Sequence, residues 1–184
     1  MFAAVSLRPL ARQDLPIVEP WFRDPDTVRF LGGPDWPALM LARTARIVGE
    51  EFRGAVQTGA FRYLAEAGGR PFGYIDCGTF DRCTVYGAAE APIITETIEV
   101  ATGAIAFAVD PERRRRGLGR AMIQALMRRP ELAQVEVFEA GVEPENAASR
   151  RCLEAAGFRR RSGQPDFEGM LYYRAWRAAA DAEG

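Results

Sequence analysis

Residues 103–129 read Gly-Ala-Ile-Ala-Phe-Ala-Val-Asp-Pro-Glu-Arg-Arg-Arg-Arg-Gly-Leu-Gly-Arg-Ala-Met-Ile-Gln-Ala-Leu-Met-Arg-Arg. The apolar run Gly103–Val109 predicts a strand, and Asp110-Pro111 a turn. Four arginines and Gly117-Leu118-Gly119 then lead into an amphipathic helix over 118–129. A strand entering a helix through a glycine loop makes an anion site. The first-turn N–H groups lack partners, and the aligned peptide dipoles favour negative charge there. Gly117 and Gly119 are expected to let a phosphate approach the backbone where a Cβ would block it. Arg113–Arg116 and Arg120 surround that point with positive charge. A phosphate-bearing ligand is expected here.

The chain has 184 residues, enough for one domain spanning 1–184 that buries about 70% of its unfolded surface. A net charge of −1 implies neither nucleic acid nor an anionic membrane as a bulk partner. Its apolar runs fall well short of the roughly 20 residues a membrane helix needs. Arg8 and Pro9 interrupt the apolar start, unlike a secretory signal, so a cytoplasmic location is expected. A homodimer is left open. The chain has no histidine and no lysine; all 24 cationic side chains are arginine. That excludes Ser-His-Asp and Cys-His catalysis, histidine metal sites, a Walker lysine and Schiff-base chemistry. Cys77, Cys83 and Cys152 are odd in number and not at ligand spacing. They read as isolated, mostly buried thiols, and no metal is expected.

Along the chain, Ser6–Leu10 reads as a strand and Asp14 as the cap of a short helix through Phe22. Asp24-Pro25-Asp26 breaks that helix. Thr27–Leu31 forms one more turn, and Gly32-Gly33-Pro34 with Trp36 and Pro37 forms a loop. A second helix is expected over Leu39–Phe52. Phe61–Ala67 and Pro71–Phe80 read as a hairpin around Gly68-Gly69. Residues 81–97 read as a long loop and Ile98–Val109 as a strand. After helix 118–129, stopped by Pro130, come a strand Gln134–Ala140 and a helix Asn146–Ala156 ended by Gly157. Phe158–Arg161 and Met170–Arg177 are closing strands, and Ala178–Gly184 a frayed tail. The order predicts an α/β domain, a mixed sheet with helices on both faces.

Two motifs then link. A strand, Arg114-x-x-Gly117-x-Gly119, a helix, a strand and Asn146-x-x-Ser149 with Gly157-Phe158 follow one another. This order and spacing resemble the GNAT acetyltransferase superfamily over nearly the whole chain. Leu7-Arg8-Pro9-Leu10 with Asp14, and Gly73 after the hairpin, fit as well. Within the superfamily, Asn146–Phe158 and Asp24–Gly33 look similar to ribosomal-protein N-terminal and aminoglycoside 6′-N-acetyltransferases. The resemblance implies the GNAT fold, acetyl-CoA as co-substrate and a primary amine as acceptor, either a small molecule or a peptide N-terminus. It implies that the backbone of Phe107, Ala108 and Val109 meets the pantetheine, the Val109 amide donating to the thioester carbonyl. Arg115, Arg116, Gly117, Leu118, Gly119 and Arg120 would wrap the pyrophosphate with backbone N–H groups, and Arg114, which opens the signature, belongs to the same cofactor-binding set. Asn146 would bond the pantetheine, with Ser149 reaching from the next turn. Arg150 or Arg151 would either meet the 3′-phosphate or stay solvated.

The implied reaction is direct attack of an amine on a thioester. An amine of pKa near 10.4 is neutral in about one molecule in 2,500 at pH 7, a cost of about 4.6 kcal/mol. The base is therefore the first requirement, followed by an oxyanion donor and an acid for the thiolate. Many family members carry a Tyr acid seven residues after the Asn, where this chain has Leu153. Some carry a Glu base five residues before it, where this chain has Gly141. Glu139, on the same strand face as Gly141 and acting through water, is the first substitute base; Glu99 and Glu96 are others. Tyr172 and Tyr173 supply phenols, or simply pack. Asp24, Asp26, Asp81, Glu90 and Glu96, walled by Trp21, Phe22, Phe30 and Trp36, would form an acidic mouth for a cationic amine.

Two other readings stay open. One is a dinucleotide-binding module, with Gly117-x-Gly119 opening a helix and Glu139 following; Met122 stands where its third glycine belongs. The other is a non-catalytic acetyl-CoA-binding sensor, to which Leu153 and Gly141 lend weight.

Overall fold

A computed structural model describes residues 4–44, 46–88, 91–161 and 163–177. The elements in order are β1 (Val5–Pro9), α1 (Leu15–Val18), α2 (Pro25–Phe30), α3 (Trp36–Arg43), β2 (Glu51–Phe52), β3 (Ala55–Ala67) and β4 (Arg70–Phe80). There follow β5 (Cys83–Tyr86), β6 (Ile94–Ile98), β7 (Thr102–Val109), α4 (Leu118–Met127), β8 (Val137–Val142), α5 (Ala147–Ala155), β9 (Arg159–Arg160) and β10 (Leu171–Trp176). The main sheet runs β1-β3-β4-β7-β8-β10-β9, with β2 on β3, while β5 and β6 form a separate ribbon. Its neighbours are antiparallel except β7 and β8, which are parallel. The fold is the expected mixed α/β sheet with helices on both faces.

Alternation along β3 and β4 sorts the two cores. Tyr63, Ala65, Ile75 and Cys77 face α4 and α5; Leu64 and Tyr74 face Val18, Trp21 and Phe22 on the other side. Helix α4 seats Leu118, Met122, Ile123 and Leu126 in the larger core. Each such side chain stabilises by about 1.5–3 kcal/mol through burial. The hairpin lies as predicted, with Gly68 and Gly69 at φ 61° and 73°, the left-handed pair that a two-residue turn requires.

Several boundaries differ from expectation. Trp36 and Pro37 open α3 rather than lying in a loop, and α3 stops at Arg43 rather than running to Phe52. Glu51 and Phe52 instead pair with Val56 and Ala55 across a turn whose Arg53 and Gly54 have φ 55° and 76°. Strand pairing has won over a helical pattern of apolar residues. Residues 83–86 and 94–98 form the ribbon β5–β6 where a loop was expected, so Ile98 belongs to β6 and β7 begins at Thr102. Strand β8 lies further along than Gln134–Ala140, and so takes in Gly141 and Val142. Asp24 does not merely break a helix: its side chain accepts from the Thr27 amide and caps α2. Ala178–Gly184 lies outside the described residues. No helix among the described residues is long and apolar enough to cross a membrane.

Candidate functional site

The parallel ladder between β7 and β8 has only three rungs: Thr102/Val137, Gly103/Phe138 and Ala104/Glu139. Beyond it the two strands no longer pair with each other, although β7 stays on β4 to Val109 and β8 on β10 to Val142. Their divergence opens a cleft of about 1130 Å³, lined by Ile105–Val109 on one wall and Ala140–Val142 on the other. The Asp110 amide donates to the Phe72 carbonyl at 2.8 Å, towards β4. Amides alternate sides along a strand, so those of Ala108 and Ala106 also face β4, and those of Val109 and Phe107 face the cleft. That edge offers hydrogen bonds to an extended ligand as a strand would.

The cleft ends at the arginine loop and the first turns of α4 and α5. Arg115 and Gly117 take φ 62° and 72°, and a left-handed arginine is uncommon. This turn leaves the N–H groups of Leu118, Gly119 and Arg120 at the helix start, and Ala121 is the first to find an acceptor, the Gly117 carbonyl at 3.1 Å. Gly117 thus supplies conformation. Gly119 does something further: a Cβ there would lie 2.8 Å from Cys152 Sγ. Its missing side chain also lets α4 sit against α5. Burial pushes the Cys152 thiol up to about 11.

Phe107, Ala108, Val109, Arg114, Arg115, Gly117, Leu118, Gly119, Arg120, Asn146 and Ser149 all line this cleft. Arg116 does not, and its guanidinium contacts the Glu112 carbonyl at 3.4 Å. Arg114 lines the cleft, but its guanidinium is engaged within the protein. Nη2 donates to Asp24 Oδ2 at 2.7 Å and Thr27 Oγ1 at 2.9 Å, and Nε to the Val109 carbonyl at 3.2 Å. Asn146 caps α5, its Oδ1 accepting from the Ser149 amide at 3.1 Å, which leaves its NH₂ group for a ligand. Arg150 is engaged within the protein, donating to the Pro144 carbonyl at 2.8 Å and the Tyr173 hydroxyl at 3.1 Å. Arg151 lines the cleft and is exposed.

The carboxylates proposed as bases stand apart from the cleft. Glu139 is 6% exposed, and its Oε2 accepts from Cys83 Sγ at 2.7 Å and Arg174 Nη2 at 3.2 Å. Burial and that carboxylate push the Cys83 thiol up to about 12, so it remains a donor. Glu99 is an exposed group bonded to Arg82 at 3.2 Å. Leu153 is a core residue. Tyr173 is buried, and the Tyr172 ring lies over Gly141 under the Arg53 guanidinium. The acids expected at the mouth do not converge. Asp24 pairs with Arg114, Asp81 with Arg82 and Glu96 with Arg161; Asp26 lines the cleft, and Glu90 lies outside the described residues. Trp21 and Phe22 belong to the smaller core, against which Trp36 packs, while Phe30 lines the cleft.

Arg113, expected near this point from sequence, lines the cleft, and so do Arg29, Cys152 and Met170, for which the sequence suggested no role at the site. The sequence reading passed over Asp76, an acid in the otherwise apolar stretch Tyr74-Ile75-Asp76-Cys77. An ionisable group at such a point in a central strand is a signal in itself.

The family model described as acetyltransferase (GNAT) family matches residues 15–158. An uncharacterised N-acetyltransferase of Bacillus subtilis (strain 168), YfmK, is 36% identical over 67 residues, which are 36% of this chain and 45% of that protein. The aminoglycoside acetyltransferase AAC(6')-Ib in complex with ribostamycin and coenzyme A superposes with a TM-score of 0.66 at 20% identity, covering 95% of this chain and 94% of the other. Spermidine N-acetyltransferase from Vibrio cholerae, in complex with CoA and spermine, gives 0.59 at 13% identity over 93% of each chain. The two structural likenesses are likenesses of fold.

Proposed function

Because the chain belongs to the GNAT acetyltransferase family, we propose that it holds acetyl-CoA in this cleft and transfers the acetyl group to a primary amine by direct attack on the thioester. The acceptor is a small cationic amine or a peptide N-terminus. The observation that carries this reading is the early end of the β7–β8 ladder, with the Phe107 and Val109 amides facing a cleft that runs to the α4 N-terminus. The pantetheine amides pair along β7, and the Asn146 NH₂ group bonds them from the far wall. The pyrophosphate rests on the amides of Arg115–Arg120, where the helix dipole favours its charge. The Val109 amide stabilises the oxyanion, with Phe107 the next amide towards the apex. The thiolate leaves with little help, since a thiol pKa near 8.5 makes it a good leaving group at neutrality.

The test is CoA release with spermine, ribostamycin and a short unblocked peptide, beside calorimetric titration with acetyl-CoA. Binding together with amine-dependent release supports the enzyme. Binding without release from any of them assigns the chain to the sensor class. Stabilisation by NAD in place of acetyl-CoA would move it to the dinucleotide binders.

A further inference from the structure

The reaction needs a group to take the acceptor's proton, and the carboxylates expected for that task are otherwise engaged. Glu139 is held by Cys83 and Arg174, and Glu99 is bonded to Arg82 away from the cleft.

The acceptor's approach follows from the sheet. On the α4 side, Ile105 of β7 is in the core. On the other side, Ala104 is exposed and Ala106 half-buried. Directly beside them on that face come Gly78 and Asp76 of β4, paired with Ala104 and Ala106. Glu139 of β8 pairs with Ala104 from the opposite flank. The result is a floor of small residues with one carboxylate on each side, next to Ala106 of the cleft wall.

Asp76 is half-buried at the surface yet lies deep among packed atoms. The Tyr74 hydroxyl donates to its Oδ2 at 2.7 Å, and Ala106 of the cleft wall is its register partner on β7. Arg62 is its neighbour across β3, without forming an ion pair among the described residues. The Arg62 guanidinium reaches Thr44, while its buried Nε has no partner. Burial pushes the Asp76 carboxyl upward against the opposing effects of Tyr74, Arg62 and Ala106. Strand β7 brings Thr102, Ala104, Ala106 and Ala108 to this face, none of them titratable, and the next charges are Glu139 and Arg174.

Resting on the reading that this chain acetylates amines, we propose that Asp76, beside Ala106 on the open face of β7, receives the acceptor's ammonium and acts as its general base. The carboxylate attracts R–NH₃⁺ and takes one proton, directly or through one water. The freed lone pair attacks the thioester carbon, so that C–N forms and C–S breaks. The amine's second proton goes to the departing thiolate, giving CoASH and the amide, and Asp76 returns its proton to solvent. Small side chains at Ala104 and Ala106 leave room for the amine to reach the cleft.

The test compares wild type, Asp76→Asn and Asp76→Glu, using whichever of spermine, ribostamycin or the peptide the wild type acetylates best. For Asp76→Asn, kcat/KM at pH 7 is expected to fall by about 10²–10⁴-fold, with acetyl-CoA affinity within about twofold of wild type. The deficit shrinks as pH rises and free amine accumulates, and Asp76→Glu recovers part of the loss while keeping the acidic limb of the pH profile. Wild-type kcat/KM and an unchanged pH profile in Asp76→Asn overturn the assignment and leave the enzyme reading intact. A wild type that binds acetyl-CoA but acetylates none of the three overturns both. Should Asp76→Asn not fold, Asp76→Glu decides: a pH profile displaced from wild type supports the base, and an identical one removes it.

Discussion

Arg114 Nη2 lies 2.7 Å from Asp24 Oδ2, joining the arginine loop of the cleft to the N-cap of α2 across 90 residues of chain. The same carboxylate oxygen caps the Thr27 amide at 3.1 Å, and Arg114 Nε holds the Val109 carbonyl at 3.2 Å. One side chain therefore sets the loop, the end of β7 and the start of α2 together. In Arg114→Ala, acetyl-CoA affinity is expected to drop about tenfold through loss of loop order, part of the cost of ordering groups on binding. A double-mutant cycle with Asp24→Ala, read by urea unfolding, is expected to give a coupling of about 1 kcal/mol. Strict additivity would show the two residues to be independent.

Gly119 and Cys152 form a second long-range pair, and here the prediction concerns packing. Gly119→Ala places a methyl 2.8 Å from Cys152 Sγ and is expected to cost about 1–3 kcal/mol by overpacking. Cys152→Ala removes the sulfur and makes room, so the double variant should regain most of that loss. Thermal unfolding of the four proteins reads this directly; a double variant no more stable than Gly119→Ala would mean that another contact limits the approach.

At Gly117 the demand is conformational. Its φ is 72°, yet a Cβ would meet nothing within 4 Å. Gly117→Asn is expected to cost little, since asparagine tolerates the left-handed region. Gly117→Glu should fold with a penalty of about 1–2 kcal/mol and lose acetyl-CoA binding, because it puts a carboxylate at the proposed pyrophosphate site. Unchanged affinity in calorimetry would remove the loop from the cofactor site.

Two aspartates give stability opposite pH dependences. Asp14 accepts both Arg8 Nη1 and Nη2, at 2.7 and 2.8 Å, and these bonds hold its carboxyl below the usual range. A group depressed in the folded state stabilises above its unfolded value, near 3.9, and loses that contribution as pH falls through the folded one. Asp14→Asn is therefore expected to destabilise by about 1–3 kcal/mol at pH 7, and by progressively less below pH 4. Asp76 has the reverse sign: its carboxyl is raised in the folded state, so its cost to stability appears as pH climbs above the unfolded value. Asp76→Asn should melt higher than wild type at pH 8 and show less advantage at pH 4. Equal Tm differences at both pH values would contradict the direction of its shift.

The elements readable from sequence are those governed by near neighbours. The Gly68-Gly69 hairpin and α5, with Asn146 and Gly157 at its ends, follow from turn and cap chemistry acting within four residues. The arginine loop running into α4 is equally local. The helix expected over 39–52 holds only to Arg43, since Glu51 and Phe52 at its expected end pair with β3, a partner the local pattern does not name. The β5–β6 ribbon was missed although Ile94-Thr95-Glu96-Thr97-Ile98 carries the β-branched signature of a strand. At the site, the glycine loop was legible as an anion site because helix-start geometry alone leaves its amides free, while the expectation for Phe107–Val109 came from the resemblance to the family. The side-chain partners were not legible, since Asp24, Cys83 and Arg174 come from distant segments.

The sequence by itself determined the mixed α/β architecture, the strand-loop-helix that could hold a phosphate, and which chemistries a chain without histidine or lysine cannot perform. These follow from residue type and short spacing. Only the tertiary structure decided where β7 and β8 part and that Arg114 serves Asp24. It also decided that Gly119 makes way for Cys152, and that Glu139 is taken while Asp76 stands beside Ala106. Those outcomes depend on which distant side chains packing brings within about 3–4 Å, and on which buried charges then find partners.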